Sequence, residues 1–546
     1  MPSSQHIPTP SERARRLAGS PYLWLVVLII GLGGYRLSLI HTGRFHFGDE
    51  RKYKLATFAV DELARGDVRA AVARVSDSYG GGRPGFVLLG MIPATLQHAA
   101  EKHGLVSRYK LEYFLIPAVF NVLVTLVIAL VIFLLGRRWT GSDRTALAAT
   151  VVYSLLFNTS AYVRHLVPYD ESLALFLWAL LIITCEESLP AHPVRRGILA
   201  GVLSGLGFAC YPGYYAFPVI LAAVCLSAPT RRAARLAAYA VSSAAVLGAF
   251  EILSRVGGSS YLSQLSGLSS TITMGDFEEG YAYAWRYLKD VEGAAGVMLL
   301  VLFGIFVALI VWRRNCGLSP TLRVAIPVAL GCYLWHATMG TVLHYMVFYG
   351  RIVHMYVPFL VLGAVAALTR LPRRNLRQAG FAVLLVVSFA SFVPTARRYS
   401  SLTYPGELFE LTVAQCGLPI GDAARRLWVR SGGRIDHPAV PDHPLVIMVM
   451  EEWPDGMKGY IHVASHQAAR NSNADFILVN MNWMFLPDRK DEAFVPPSSY
   501  KIIEEAVHPN NFPGNAYEAY GPEQRERLKQ RFYYMRIYQR SSGTGF

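Results

Sequence analysis

The segment RFHFGDERKYK, residues 44–54, sets Asp49 and Glu50 directly before Arg51, Lys52 and Lys54, just beyond an apolar run. A carboxylate held among cations stays ionised, and such a group accepts a proton or orients a hydroxyl while its neighbours bind an anion. A solvated loop accounts for the same mixture of charges. A second acidic pair, Asp170 and Glu171, stands in AYVRHLVPYDESLALF, 161–176, close behind Arg164 and His165. As first-turn residues they favour the following helix by about 1 kcal/mol or less, so capping is the plain alternative to catalysis.

Two further cations belong with these acids. Arg83 lies in GGGRPGF, whose glycines let the backbone approach a ligand closely, and Arg351 lies in HYMVFYGRIVHMYVP, at the mouth of a late apolar run. A charge at that depth is costly without a partner. A lipid phosphate suits it, because a guanidinium meets phosphate oxygens in a bidentate fork, while snorkelling to the interface is the competing explanation. Tyr345 and Tyr349, like YPGYY at 211–215, fit an interfacial aromatic belt more readily than a binding site, although aromatic faces also stack on sugars. His41, His165, His336, His344 and His354 do not fall at HxxxH or HExxH spacing. Hydrogen-bonded packing therefore outweighs a shared metal, and no obligatory metal or other cofactor is expected, although a divalent ion on a phosphate stays open.

The elements that must position these residues are set by composition. With 53% hydrophobic and 16% charged residues in 546, the chain has too little polar matter to wrap a soluble globule of that size. The net charge of +15 resides largely in arginine clusters between apolar runs, at 13–16, 137–144, 195–196, 231–235, 313–323 and 370–377. That is the positive-inside pattern, and no recognition-helix, RRM or zinc-finger pattern accompanies it, which excludes nucleic acid as a partner. The six cysteines form no CxxC pair and imply neither a disulfide framework nor a zinc site.

Keeping every arginine cluster on the cytoplasmic side orders the apolar runs near 21–40, 113–136, 145–163, 170–186, 197–211, 213–229, 235–253, 293–312, 322–340, 352–369 and 378–396, about eleven transmembrane helices. Pro84–Ala100 spoils this alternation if it crosses, so it is expected to lie along the interface. The first run lacks a convincing cleavage site and reads as a retained anchor. The expected organisation is a cytoplasmic tail at 1–20, a polytopic α-helical membrane domain at 21–396 with a long first outer loop at 41–112, and an extracytoplasmic α/β domain at 397–546. Within the last, 443–450, 474–485 and 532–540 read as strands, and 421–432 and 521–532 as helices. No fixed-period repeat, glycine-rich phosphate loop or nucleophile elbow is present.

The order of these features carries a resemblance. The acidic pair after the first run, RPGF before an interfacial segment, LEYFLIPAVFNVLVTLVIALVIFLLGRRWTGSDRTALAA and then VRHLVPYDESLALF resemble the first third of the GT-C class of lipid-linked-sugar glycosyltransferases. The nearest branch holds the aminoarabinose transferases and the protein O-mannosyltransferases. The likeness covers about residues 20–230 and runs more loosely to YGRIVHMYVPFL. It implies an inverting transferase that moves a sugar from a polyprenyl-phosphate donor to an extracytoplasmic acceptor, in the plasma (inner) membrane. On the matching positions Asp49 is the first-loop acid, with Glu50 beside it, and Lys52 the cation three residues on. Arg83 is the basic residue of the basic-Pro motif and Asp170 the second acid. The chain departs from the pattern at Gly85, where a second proline is usual, and in having Arg rather than Lys at 83. On this basis Asp49 is the expected base, Asp170 orients acceptor or sugar, Lys52, Arg83 and Arg351 cradle the donor phosphate, and Arg164, His165, Tyr345 and Tyr349 line the substrate. The rival expectations are a flippase or transporter of lipid-linked sugars, which calls for charges deep in its spans and repeated halves, and a non-catalytic envelope assembly factor.

Overall fold

The computed structural model describes residues 20–40, 52–77, 82–105, 114–184, 192–227, 231–273, 279–312 and 319–402, and in the C-terminal part 446–449, 456–458, 461–464, 476–481, 497–509, 513–518, 522, 525–526 and 532–541. The helices in chain order are α1 Pro21–Ser38, α2 Tyr53–Ala64, α3 Val68–Val75, α4 Pro84–Lys102, α5 Leu115–Thr140, α6 Asp143–Ser154, α7 Tyr169–Ile183, α8 Pro193–Cys210, α9 Ala216–Leu226, α10 Arg232–Val256, α11 Tyr261–Thr273, α12 Tyr283–Trp312, α13 Pro320–Thr341, α14 Gly350–Thr369 and α15 Arg374–Ser400. Short 3₁₀ turns occupy Phe157–Thr159 and Pro212–Tyr214. The chain is a polytopic helical protein with a small sheet at its C-terminal end.

The helices pack around α14, which is buried along nearly all of its length. It contacts α5, α6 and α12, and at Gly363 a Cβ would stand 2.8 Å from the Phe303 ring of α12, the close approach by which apolar helices associate when lipid offers no hydrophobic gain. The closest pair is α8 against α10, joined by a stripe of Gly197, Gly201 and Gly205. A Cβ at Gly201 would stand 2.3 Å from the Tyr239 carbonyl oxygen, so only glycine allows the approach. The C-terminal carbonyls of α7 are taken by arginines of the basic clusters, with Arg138 Nη1 donating to Leu181 O at 2.6 Å and Arg235 Nη2 to Ile183 O at 2.8 Å. Charges that read as topology markers thus also cap a helix.

All eleven expected apolar runs contain helix, and six described helices, α1, α5, α10, α12, α14 and α15, are long and apolar enough to cross a membrane. The run at 145–163 differs from expectation, because its helix ends at Ser154. The polar triplet Asn158, Thr159 and Ser160 breaks it into a buried 3₁₀ turn whose groups bond to other elements. α12 is interrupted at Gly293, φ +60° and ψ −137°, a left-handed conformation that favours glycine. The break falls at the expected border between outer loop and span. On α4, Leu88, Ile92 and Leu96 form one exposed stripe at helical spacing.

In the C-terminal part, β1 Val446–Val449, β2 Gly456–Lys458, β3 Ile461–Ala464, β4 Phe476–Met481, β5 Tyr500–Pro509 and β6 Phe532–Arg540 form one mixed sheet in the order β2-β3-β1-β4-β6-β5. β1 runs parallel to β3 and β4, while β6 is antiparallel to β4 and β5. The three expected strands are present, with β2, β3 and β5 in addition. The expected helix at 421–432 lies outside the described residues. α16, Pro513–Ala516, follows β5 and contacts α12.

Candidate active site

Asp170 occupies the first turn of α7 and is 2% exposed, and His354, in the first turn and a half of α14, is fully buried. Nε2 of His354 stands 3.2 Å from Asp170 Oδ1, and Nδ1 stands 2.7 Å from Asn158 Oδ1 on the 3₁₀ turn. Asn158 in turn donates from Nδ2 to the Tyr287 hydroxyl at 2.5 Å. The turn is held by Glu292, whose two carboxylate oxygens accept the backbone N–H groups of Phe157 and Asn158, each at 2.7 Å. From its other side Arg36, at the end of α1, donates to Thr159 O at 2.8 Å and to Ser160 Oγ at 3.2 Å. Buried polar groups are tolerated only with such partners. The chain of contacts sets the His354 ring, whose Nε2 stands against the Asp170 carboxylate.

Beside Asp170 lies a tyrosine wall. The ring of Tyr169 meets Tyr211 edge-on at 4.8 Å and Tyr162 at 4.9 Å, and Tyr162 also meets the His354 ring at 5.3 Å. Two guanidinium groups flank this wall. Arg83, the residue before α4, lies 5.1 Å over Tyr211, and Arg351 lies 5.6 Å over Tyr169 and 3.9 Å over Tyr349. Arg351 Nη1 also donates to the Tyr169 hydroxyl at 2.6 Å. Cations placed over aromatic faces in dry surroundings are held by about 2 kcal/mol or more each. Asp170, Arg83, Arg351 and Tyr349 are thereby linked through one continuous contact network.

The backbone explains Arg83. Gly82 has φ +72°, and Gly85 lies so close to α8 that a Cβ there would stand 2.7 Å from the Ala209 carbonyl carbon. Gly85 is therefore a packing requirement of this chain. Lys52 immediately precedes α2, whose Tyr53 hydroxyl donates to Gly90 O at 2.9 Å, two turns along α4 from Arg83. Asp49 and Glu50 lie outside the described residues.

The remaining expected residues serve differently. Arg164 Nη1 donates to the carbonyls of Tyr399 and Leu402, at 3.0 and 2.8 Å, tying the 161–168 turn to the end of α15. His165 is buried, and its carbonyl accepts from Asn121 Nδ2 at 2.9 Å. Tyr345 is 53% exposed. His165 N also donates to Tyr162 O at 2.9 Å, so His165 supports the tyrosine wall through its backbone, whereas the side chain of His354, set aside on sequence as a packing residue, is the centre of the network. On sequence Asn158 stands out only as part of an NTS tripeptide within an apolar run and Tyr287 only as an interfacial-belt tyrosine, while Glu292 and Arg36 carry no expectation. Tyr162, outside the helices, is pushed well above the ordinary tyrosine range by burial and then by the Glu518 charge, so it stays a hydrogen-bond donor. Among the described residues no group of three or more His, Cys, Asp or Glu side chains gathers to hold a metal.

Chemically, the arrangement offers a carboxylate beside an imidazole, a buried wall of tyrosines, and two cations at the edges of that wall. No protein-family model matches the chain and no curated protein matches it. Among solved structures it is similar to the Archaeoglobus fulgidus oligosaccharyltransferase in the apo form, with TM-score 0.46 and 11% identity over 78% of this chain. It is also similar to the same enzyme in complex with Zn and sulfate, with TM-score 0.45 and 12% identity over 84% of this chain. The chain spans 62% and 68% of those two structures.

Proposed function

We propose that the chain is an integral membrane glycosyltransferase of the GT-C kind, transferring a sugar from a polyprenyl-phosphate donor to an acceptor hydroxyl at the extracytoplasmic face of the plasma membrane. The observation that carries this reading is the Asp170–His354 pair beside a tyrosine wall flanked by Arg83 and Arg351. Such a site pairs a carboxylate for a hydroxyl or sugar with positive charge for a departing phosphate.

In the proposed reaction the acceptor oxygen attacks the anomeric carbon from the side opposite the phosphate. The carbon–oxygen bond to the phosphate breaks, the configuration inverts in the single displacement, and the bonding pair leaves with polyprenyl phosphate. The hydroxyl proton passes to a carboxylate, for which Asp49 is the leading candidate from the sequence. Asp170, held by His354, orients the acceptor or the sugar. Arg83 and Arg351, with Lys52, stabilise the leaving phosphate, and guanidinium suits this because its fork matches the phosphate oxygens. The test is transfer by purified protein from a panel of polyprenyl-phosphate sugars. Release of polyprenyl phosphate supports the reading, whereas movement of the lipid across liposomes without bond cleavage replaces it with transport.

A further inference from the structure

The first turn and a half of α14 carries Arg351 and, three residues on, His354, so whatever sets the start of this helix sets both the phosphate cation and the partner of Asp170. A helix start leaves its first N–H groups without intrahelical partners. Here two consecutive residues of the β5–β6 connection supply them. Gly350 N donates to Tyr517 O at 2.9 Å, and Arg351 N donates to Glu518 Oε1 at 3.1 Å. The same Oε1 accepts the Tyr162 hydroxyl at 2.7 Å, and Oε2 stands 3.6 Å from Arg351 Nε.

This is a built contact. Glu518 is 5% exposed. Gly350 is shaped to it, since a Cβ there would lie 2.8 Å from Glu518 Oε1 and 2.9 Å from the Tyr287 ring. The connection is tied down on either side of Glu518. Tyr517 donates to Asp290 Oδ2 at 2.6 Å and accepts at its carbonyl from the Tyr283 hydroxyl at 2.6 Å, while buried Arg525 pairs with Glu279 and covers the rings of Tyr517 and Tyr283. These anchors all belong to the segment leading into α12 and to its half before Gly293.

We propose that Glu518 is a positioning residue of the reaction centre: its carboxylate fixes Arg351 and Tyr162, so that the site is assembled jointly by the membrane helices and the β5–β6 connection of the C-terminal sheet. The inference rests on the transferase reading above. Its chemistry is that of a fixed counter-charge. A buried guanidinium swings among several partners unless one anion holds it, and the Tyr162 ring, pinned by the same oxygen, presses against both His354 and Tyr169.

The test uses the full chain with Glu518→Ala, Glu518→Gln and Gly350→Ala, and Glu526→Gln as the control for a carboxylate of the same connection that is exposed. With a polyprenyl-phosphate sugar, Glu518→Ala should lower kcat/KM by about ten- to a hundredfold, most of it as a raised donor KM. Glu518→Gln, which keeps the acceptor oxygen and loses the charge, should fall between it and the wild type. Gly350→Ala should match Glu518→Ala, and the double variant should be no worse than either single one, because both remove the same contact. An unchanged donor KM in Glu518→Ala, or a loss confined to kcat, overturns the inference. A readout independent of turnover separates this from failure of the transferase reading. Hydrogen exchange at the amides of residues 350 and 351 should accelerate at least about tenfold in Glu518→Ala, and equal protection overturns the inference even if sugar transfer is demonstrated. Accelerated exchange in a protein that transfers no sugar rejects the transferase reading instead.

Discussion

Replacing His354 with leucine is the most informative single perturbation of the candidate site. The imidazole has two contacts, 3.2 Å to Asp170 Oδ1 and 2.7 Å to Asn158 Oδ1, and is fully buried with both partners. Leucine removes both and leaves a carboxylate oxygen and an amide oxygen in a dry interior. An imidazole with one N–H donates to one acceptor at a time, so at about 1–3 kcal/mol for an orphaned acceptor the loss is about 1–3 kcal/mol. Asn158 keeps its bond to Tyr287 and so its orientation, and the disturbance therefore falls mainly on Asp170. If it is felt in the transition state, a loss of about 2 kcal/mol corresponds to about a thirtyfold drop in kcat/KM at 1.36 kcal/mol per tenfold. Glutamine can reach one of the two partners and should recover about half of the loss in free energy. The assay is release of labelled polyprenyl phosphate from a polyprenyl-phosphate sugar, with folded protein quantified by gel filtration in detergent. A His354→Leu protein that stays folded and turns over within about threefold of the wild type refutes the reasoning that the imidazole sets Asp170.

Three other perturbations follow from the same geometry. Glu292→Ala strands two buried backbone N–H groups of the 3₁₀ turn, and should cost about 2–6 kcal/mol, read as a lower thermal midpoint in detergent; Glu292→Gln, with one acceptor left, should cost about half. Arg83→Gln should raise the donor KM and also lower kcat, because charge on the departing phosphate develops in the transition state, and a kcat/KM for the donor equal to that of the wild type argues against a phosphate role. Gly201→Leu drives a side chain into the Tyr239 carbonyl and the Ser242 hydroxyl; about 1–3 kcal/mol of overpacking should separate α8 from α10, seen as loss of thermal stability with no change in donor KM in the protein that remains folded.

Much of this arrangement was legible because hydrophobic run length and charge placement are one-dimensional properties. The eleven runs, the start of one of them near Gly293 and three of the six strands follow from apolar patterning and turn chemistry. Asp170 and Arg351 were recognisable as charges at the ends of apolar runs, where a partner is obligatory. The missing part is pairing. His354 carries no spacing signal because its partners, Asp170 and Asn158, lie 184 and 196 residues away and on different elements. Arg164 looked like a site residue for the same reason that Arg351 did, but it bonds to carbonyls at the end of α15, which no local pattern foretells. The stripe of Gly197, Gly201 and Gly205 was visible as a repeated four-residue spacing, a known signature of close helix approach, and its partner α10 was not. Glu518 lies beyond any sequence argument, since its role depends on where the β5–β6 connection docks.

The central claim is that Asp170 serves the transfer of a sugar from a polyprenyl phosphate. The most direct measurement compares polyprenyl phosphate released by wild-type and Asp170→Asn protein at equal folded concentration. Asparagine preserves the shape and removes the charge, so transfer should fall on the order of a hundredfold or more with the thermal midpoint nearly unchanged. Near-normal release by the asparagine variant contradicts the claim.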